Sequence, residues 1–341
     1  MAGSILRKLL APWWAAQLLT GAKSFLDNPL IGSDRLNRYG LHARRVALAR
    51  RLADRRRARL AAAVDPADVQ AFERDGFVIK HDFLPPDLFA DLKAGLLAWS
   101  GPAREMVQGD AITRRYAVDP GLLRAVPQLR ALVRDKRWRG LARYVASFDI
   151  EPLLYVQTIL SHRRNAPPDP QTRLHADTFH PSMKAWLFLE DVGTEDGPFT
   201  YVPGSHRLTP ERLAWERRRS LEVRAEEDFL SARGSFRIEP EDLAGLGLPQ
   251  PLAVTVPANT LVVADTFGFH ARAQSSGPTT RIELFAYSRR NPFLPFTGLD
   301  PWSLPGIAER RIPLLWLTHD LYRRWIGQPW AKAGRKRPGD E

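Results

Sequence analysis

Three side chains in this 341-residue chain have the types that hold a catalytic metal. They are His175 and Asp177, in the sequence His-Ala-Asp, and His270, ninety-three residues beyond Asp177. Two imidazoles and one carboxylate can occupy one face of an octahedral ferrous ion and leave the opposite face open to a cosubstrate and O2. In an extended segment the first and third side chains of His-x-Asp point to the same side, so His175 and Asp177 are expected to share a face. The third ligand must then come from a neighbouring strand brought close by the fold. A bare His-x-Asp is common on surfaces and in turns, so the surrounding sequence has to carry the assignment.

Composition removes several alternatives. There is no cysteine, which excludes disulfides, thiolate nucleophiles, cysteine zinc sites and iron–sulfur clusters, and only eight histidines are present. An apolar fraction of 44% with 26% charged residues predicts a globular core. The formal net charge of +12 favours anionic partners. Residues 1–66 hold thirteen Lys or Arg against four Asp, so most of the excess precedes the core.

The strands that must position the three ligands read as short runs joined by turns. Residues 77–83, FVIKHDF, form the first, after a short helix opened by Asp65-Pro66 and ended at Gly76. Tyr155–Leu160 alternates, with a polar Gln157 that needs a partner or faces a polar pocket. MKAWLFLEDV, from 183 to 192, reads as a buried strand, and the apolar run 252–267 leads to His270. Arg281 opens another alternating strand. Residues 110–119 have no clear pattern; Arg114 and Arg115 there face either an anion site or solvent. Pro203-Gly-Ser-His206 reads as a turn. The pattern predicts a mainly β protein with flanking helices, built as an antiparallel jelly roll or barrel.

Three segments lie around this core. Residues 1–64 form a basic helical arm; the core spans 65–300, with a helix-and-loop insertion at about 208–250 expected to shape a substrate mouth. Residues 301–341 form a C-terminal extension with a basic tail. Within the arm, Leu9–Leu19 is too short to span a bilayer; Arg7 and Lys8 precede it, and Trp13 and Trp14 lie within it. A helix docked on the protein, an interfacial segment and a signal peptide are all open readings. Residues 41–60 predict a helix with eight arginines and one aspartate. An anionic membrane surface, phosphate or solvent would each suit it; the sequence has no specific nucleic-acid motif, and no nucleic-acid partner is expected.

The core resembles the phytanoyl-CoA dioxygenase (PhyH-like) family of Fe(II)- and 2-oxoglutarate-dependent oxygenases over roughly residues 67–290. The opening AFERDGFVIKHDFLPPDLFADLKAGL, the His175-x-Asp177 pair, EDVGTEDGPFTYVPGSHR, and His270 followed eleven residues later by Arg281 stand in the family's order. The resemblance implies a double-stranded β-helix, a cupin-like jelly roll. It implies Fe(II) held by His175, Asp177 and His270, with 2-oxoglutarate and O2 as cosubstrates. Arg281 would pair with the distal carboxylate of 2-oxoglutarate, for which a guanidinium fork is suited. Gln157 and Trp186 match pocket positions. Arg272 stands where the family often has a small hydroxyl residue, two positions after the distal histidine. Lys184 offers a further charge at that cosubstrate site. Asp177 is present, unlike in halogenating relatives.

The expected reaction is hydroxylation of an unactivated C–H bond in a lipid, glycolipid, acyl conjugate or small metabolite. The alternatives are a non-enzymatic metal-binding jelly roll and a membrane-associated interaction protein. The expected location is the cytoplasm, peripheral on an anionic membrane through residues 1–60.

Overall fold

The computed structural model describes residues 2–226 and 228–341, with side chains from residue 10 onward. The charges of Arg7 and Lys8 and the docking contacts of Leu6 and Leu9 lie outside the described side chains.

Among the described residues, eleven strands make two antiparallel sheets. They are β1 (Phe77–Lys80), β2 (Gly101–Gln108), β3 (Ala111–Ala117), β4 (Leu153–Leu160), β5 (Met183–Phe188), β6 (Phe199–Tyr201), β7 (Leu252–Val254), β8 (Leu261–Asp265), β9 (His270–Arg272), β10 (Thr280–Ser288) and β11 (Ala331–Lys336). The large sheet runs β1-β8-β5-β10-β4-β3-β2-β11 and the small one β7-β6-β9. The fold is a double-stranded β-helix, a jelly roll flanked by helices.

Period-two patterning explains the layering. On β10, Ile282, Leu284 and Ala286 pack with Leu92, Leu96, Leu141 and Val145 from helices on the outer face of the large sheet. The alternate residues Arg281, Phe285 and Tyr287 line a cavity between the sheets. Strand β4 does the same: Leu154 and Val156 join the helical layer, while Leu153, Gln157 and Ile159 line the cavity. Residues 110–119, which had no legible pattern, are β3, pairing with both β2 and β4.

The basic helix spans Leu41–Leu60 as expected, and its arginines divide between two faces: Arg45, Arg56 and Arg57 are buried, while Arg44, Arg51, Arg55 and Arg59 are exposed. Its inward stripe is His42, Arg45, Val46, Ala49, Ala53, Arg56 and Arg57, all buried. The small Ala49 and Ala53 let the helix approach closely, and the long arginine stems reach acceptors in the body of the protein. Arg57 Nη2 lies 2.8 Å from Asp265 Oδ2, and Arg56 donates to the carbonyls of Ser147, Pro292 and Leu294. Arg45 donates to the carbonyls of Leu18, Thr20 and Ala22, and Arg50 to that of His206. One face of this helix is therefore docked on the body of the protein, and Arg44, Arg51, Arg55 and Arg59 stay at the surface. No helix among the described residues is long and apolar enough to cross a membrane.

The insertion also packs differently from expectation. Its main helix, Pro210–Glu222, lies on the arm, with His42 Nε2 2.8 Å from Glu216 Oε2 and Arg212 on the same carboxylate. Among the described residues of 208–250, none lines the cavity. Residues 301–341 contribute there instead: β11 pairs with β2 at the sheet edge, and Leu315 and Trp330 form part of the cavity wall.

Candidate metal centre

The ligand atoms of His175, Asp177 and His270 all lie within 4.8 Å of one another. His175 and His270 face each other in an antiparallel bridge, each backbone N–H donating to the other's carbonyl at 3.0 Å. Asp177 N–H is held by the carbonyl of Thr266 at 2.9 Å. The His-x-Asp segment is thus one residue bridged on both sides, to His270 and Arg237, and followed by bends, not the regular strand its spacing suggested, yet it still places both side chains on one side.

Each imidazole is oriented by the main chain two residues before it. His175 Nδ1 lies 2.8 Å from the Arg173 carbonyl and His270 Nδ1 3.0 Å from that of Gly268. A carbonyl can only accept, so both Nδ1 atoms carry the proton and both Nε2 lone pairs point inward. His175 Nε2 is buried without a hydrogen-bond partner, and the two Nε2 atoms each lie 3.7 Å from Asp177 Oδ1. Burial, followed by the nearby His270, lowers the His175 pKa to about 4, which keeps the ring neutral. The Asp177 carboxyl is held well below its usual range despite burial, chiefly by the Lys184 ammonium. Neutral imidazoles and an ionised carboxylate are the states in which these groups bind metal. The donor set therefore fits a first-row divalent ion such as Fe(II).

Lys184, expected at the cosubstrate site, lies against the ligand carboxylate itself. Its Nζ lies 2.7 and 2.9 Å from the two oxygens of Asp177 and 3.4 Å from His270 Nε2. The ammonium thus sits among the ligands and not in open cavity. Lys23, from the arm, donates to the Asp177 carbonyl at 2.5 Å.

The cavity encloses about 590 Å³ and brings together all the expected pocket residues: Gln157, Lys184, Trp186, Arg272 and Arg281 as well as the three ligands. Arg281 is buried, with Nε 3.0 Å from Glu283 Oε2 and Nη1 on the Gly197 carbonyl. Gln157 donates from Nε2 to Glu283 Oε1 at 2.6 Å and accepts from Arg115 Nε at 2.7 Å. The register pairs Arg115 with Gln157 and Gln157 with Glu283, so this polar chain runs straight across β3, β4 and β10. Arg272 is paired with Asp169. Arg115 is packed among Phe285, Trp330 and Tyr155, at 4.4, 4.4 and 5.0 Å from their ring centres, and makes no ion pair among the described residues. Arg114, its neighbour, points the other way, into an ion pair with Glu105.

Glu283, Tyr287, Trp330 and Leu315 were not anticipated as members of the site, and of the two arginines read as facing an anion site or solvent only Arg115 lines the cavity. For Glu283 a signal existed: a carboxylate two residues after Arg281, inside an apolar strand, needs a buried cation. For Leu315 and Trp330 none did, because only the fold brings the C-terminal segment to the cavity. His206, in the Pro-Gly-Ser-His turn, is buried against Phe72, away from the cavity.

A jelly roll carrying two histidines and one carboxylate on its inner face defines the class: a mononuclear metal protein of the facial-triad type. Comparison with known proteins places it more narrowly. Residues 72–236 match the family model for phytanoyl-CoA dioxygenase (PhyH). The ectoine dioxygenase of Bordetella parapertussis is 31% identical over 171 residues, covering 44% of this chain and 52% of that protein. The ectoine dioxygenase of Halomonas elongata is 29% identical over 283 residues, covering 76% of this chain and 77% of that protein. The chain therefore spans about half the length of the Bordetella relatives. The structure of the non-heme alpha ketoglutarate dependent epimerase SnoN from nogalamycin biosynthesis superposes with a TM-score of 0.43 at 23% identity, over 65% of this chain and 83% of that one. Together these matches support a phytanoyl-CoA dioxygenase (PhyH)-like family for the chain, carried by residues 72–236.

Proposed function

We propose that the protein is an Fe(II)- and 2-oxoglutarate-dependent dioxygenase that hydroxylates an unactivated C–H bond of a small polar metabolite. One observation carries the reading: two fixed imidazole lone pairs and an ionised carboxylate converge in the wall of a cavity that also holds a buried arginine. His175, Asp177 and His270 are the ligands in this reading. Bound there, ferrous iron supplies the oxidative chemistry by which 2-oxoglutarate, O2 and R–H give succinate, CO2 and R–OH.

The protein's own part is positioning. Arg281 takes the distal carboxylate of 2-oxoglutarate with the guanidinium nitrogen that neither Glu283 nor Gly197 uses. Glu283 and Gln157 fix that guanidinium in place. Trp186, Phe199 and Phe285 exclude water from the reacting carbon. Arg115 and Arg289 line the rest of the cavity without a carboxylate partner among the described residues, which favours a substrate bearing an anionic group. The name shared by the curated relatives supports a small metabolite over a lipid or glycolipid.

The test has two stages. Anaerobic addition of Fe(II) and then 2-oxoglutarate should produce a visible charge-transfer band that His175→Ala and His270→Ala abolish. Arg281→Lys should keep metal binding and weaken 2-oxoglutarate. Aerobic incubation with polar metabolite fractions should then release succinate together with a product heavier by one oxygen. Metal binding without succinate release from any fraction would favour a non-enzymatic metal-binding jelly roll.

A further inference from the structure

The C-terminal helix Arg311–Leu321 has two faces of opposite fate. Its inner positions, at i, i+4 and i+8, are satisfied by the protein. Ile312 is buried, Trp316 packs on Tyr155 with ring centres 6.1 Å apart, and Asp320 pairs with Arg104 at 2.6 Å. The outer positions are also apolar. Leu314, Leu317 and Leu321 are 45%, 53% and 68% exposed, and Trp325, in the short helix that follows, is 77% exposed. Trp302 and Leu304, just before this helix, add 53% and 54% exposure. Scattered exposed leucines are ordinary, but a row of them ending in an exposed tryptophan is a surface that lacks its partner.

The charges beside this face identify the partner. Arg323 and Arg324 lie in the same turn as Trp325, are exposed, and make no ion pair among the described residues. Residues 301–341 carry eight Lys or Arg against four Asp or Glu. We propose that this outer face docks on an anionic lipid surface, with Leu317, Leu321 and Trp325 entering the headgroup boundary and Arg323 and Arg324 meeting acidic headgroups. A second copy of the chain is the less suitable occupant: it would set these arginines against their own counterparts on a molecule of net charge +12. The docking is independent of the proposed chemistry, although Leu315 of the same helix lines the cavity.

The test is co-sedimentation of the full chain with vesicles of phosphatidylcholine alone or with about one-quarter phosphatidylserine. Binding should require phosphatidylserine and weaken as salt rises. The variant L317S/L321S/W325S should lose about tenfold or more in apparent affinity, and R323Q/R324Q should lose most of the salt-sensitive part. Both sets of positions are exposed, so thermal unfolding and metal binding should match the parent, and that check separates lost docking from lost fold. Absence of vesicle binding by the parent, equal binding to both vesicle types, or unchanged binding by L317S/L321S/W325S would overturn the proposal. So would a parent that is dimeric in solution and becomes monomeric in that variant, since the face would then belong to a second copy.

Discussion

The Nζ of Lys184 lies 2.7 Å from Oδ2 of Asp177, closer to the carboxylate than either imidazole. A cation of the protein's own therefore occupies the position from which a metal would draw its charge stabilisation. A metal bound there would share the Asp177 carboxylate with that ammonium.

Lys184→Met removes the competing charge and keeps the length of the side chain. Divalent-ion affinity should rise roughly tenfold, a fraction of the several kcal/mol that two charges exchange at such distances in a partly buried site. Anaerobic titration with Mn(II) or Fe(II) measures it directly. A weaker affinity in the variant would instead make Lys184 an orienting partner of the carboxylate.

Glu283→Ala should be the most damaging change in the cavity wall. It leaves the Arg281 guanidinium without its buried carboxylate and Gln157 Nε2 without its acceptor. Breaking a buried ion pair from one side costs about 3–5 kcal/mol. Denaturant unfolding should show that loss, and 2-oxoglutarate binding should weaken as well because the guanidinium is no longer fixed.

The same reasoning applies to Arg57→Ala, which strips Asp265 of its cation. Asp265 is fully buried, and its other oxygen accepts from Ser182 and Phe267 N–H. A loss of about 3–5 kcal/mol is expected. Arg51→Ala, an exposed position on the same helix, should change stability by about 0.5 kcal/mol or less. Equal effects at the two positions would mean that the helix is not docked as described.

Acid should destabilise the metal-free protein through buried neutral histidines. Burial lowers the His180 pKa to about 3, and His206 is lowered well below its ordinary value for the same reason. The unfolded chain takes up protons near pH 6.5 that the folded one refuses. Stability is therefore full above that pH, falls as the pH drops below it, and stops falling on account of His180 below about pH 3. At pH 5 the loss through His180 alone is about 2 kcal/mol. His180→Leu should unfold in urea with a smaller difference between pH 7 and pH 5 than the parent.

The His175, Asp177 and His270 cluster was legible because its chemistry tolerates few substitutes and its order along the chain is distinctive. The strands β1, β4, β5 and β10 were legible from alternation and apolar runs. β3 was not, because its residues Thr113 and Arg115 face a polar cavity while Arg114 pairs with Glu105 on the other face, so neither side reads as apolar. The arginine-rich helix misled for a related reason: charge patterning takes arginine as a surface residue, whereas Arg45, Arg56 and Arg57 are buried on backbone carbonyls and one aspartate. The part that Leu315 and Trp330 of the C-terminal segment take in the cavity wall was not legible, because contacts between distant segments leave no local trace.

The reciprocal backbone pairing of His175 with His270 has a consequence for how the protein meets its metal. Since main-chain hydrogen bonds set the approach of the two imidazoles, no ion is required to gather them. Empty and loaded forms should then share one architecture, and the ion should exchange without unfolding. Which divalent metal fills the centre is left to supply in the cell, because imidazole and carboxylate donors alone follow the general ranking of first-row ions and do not single out iron.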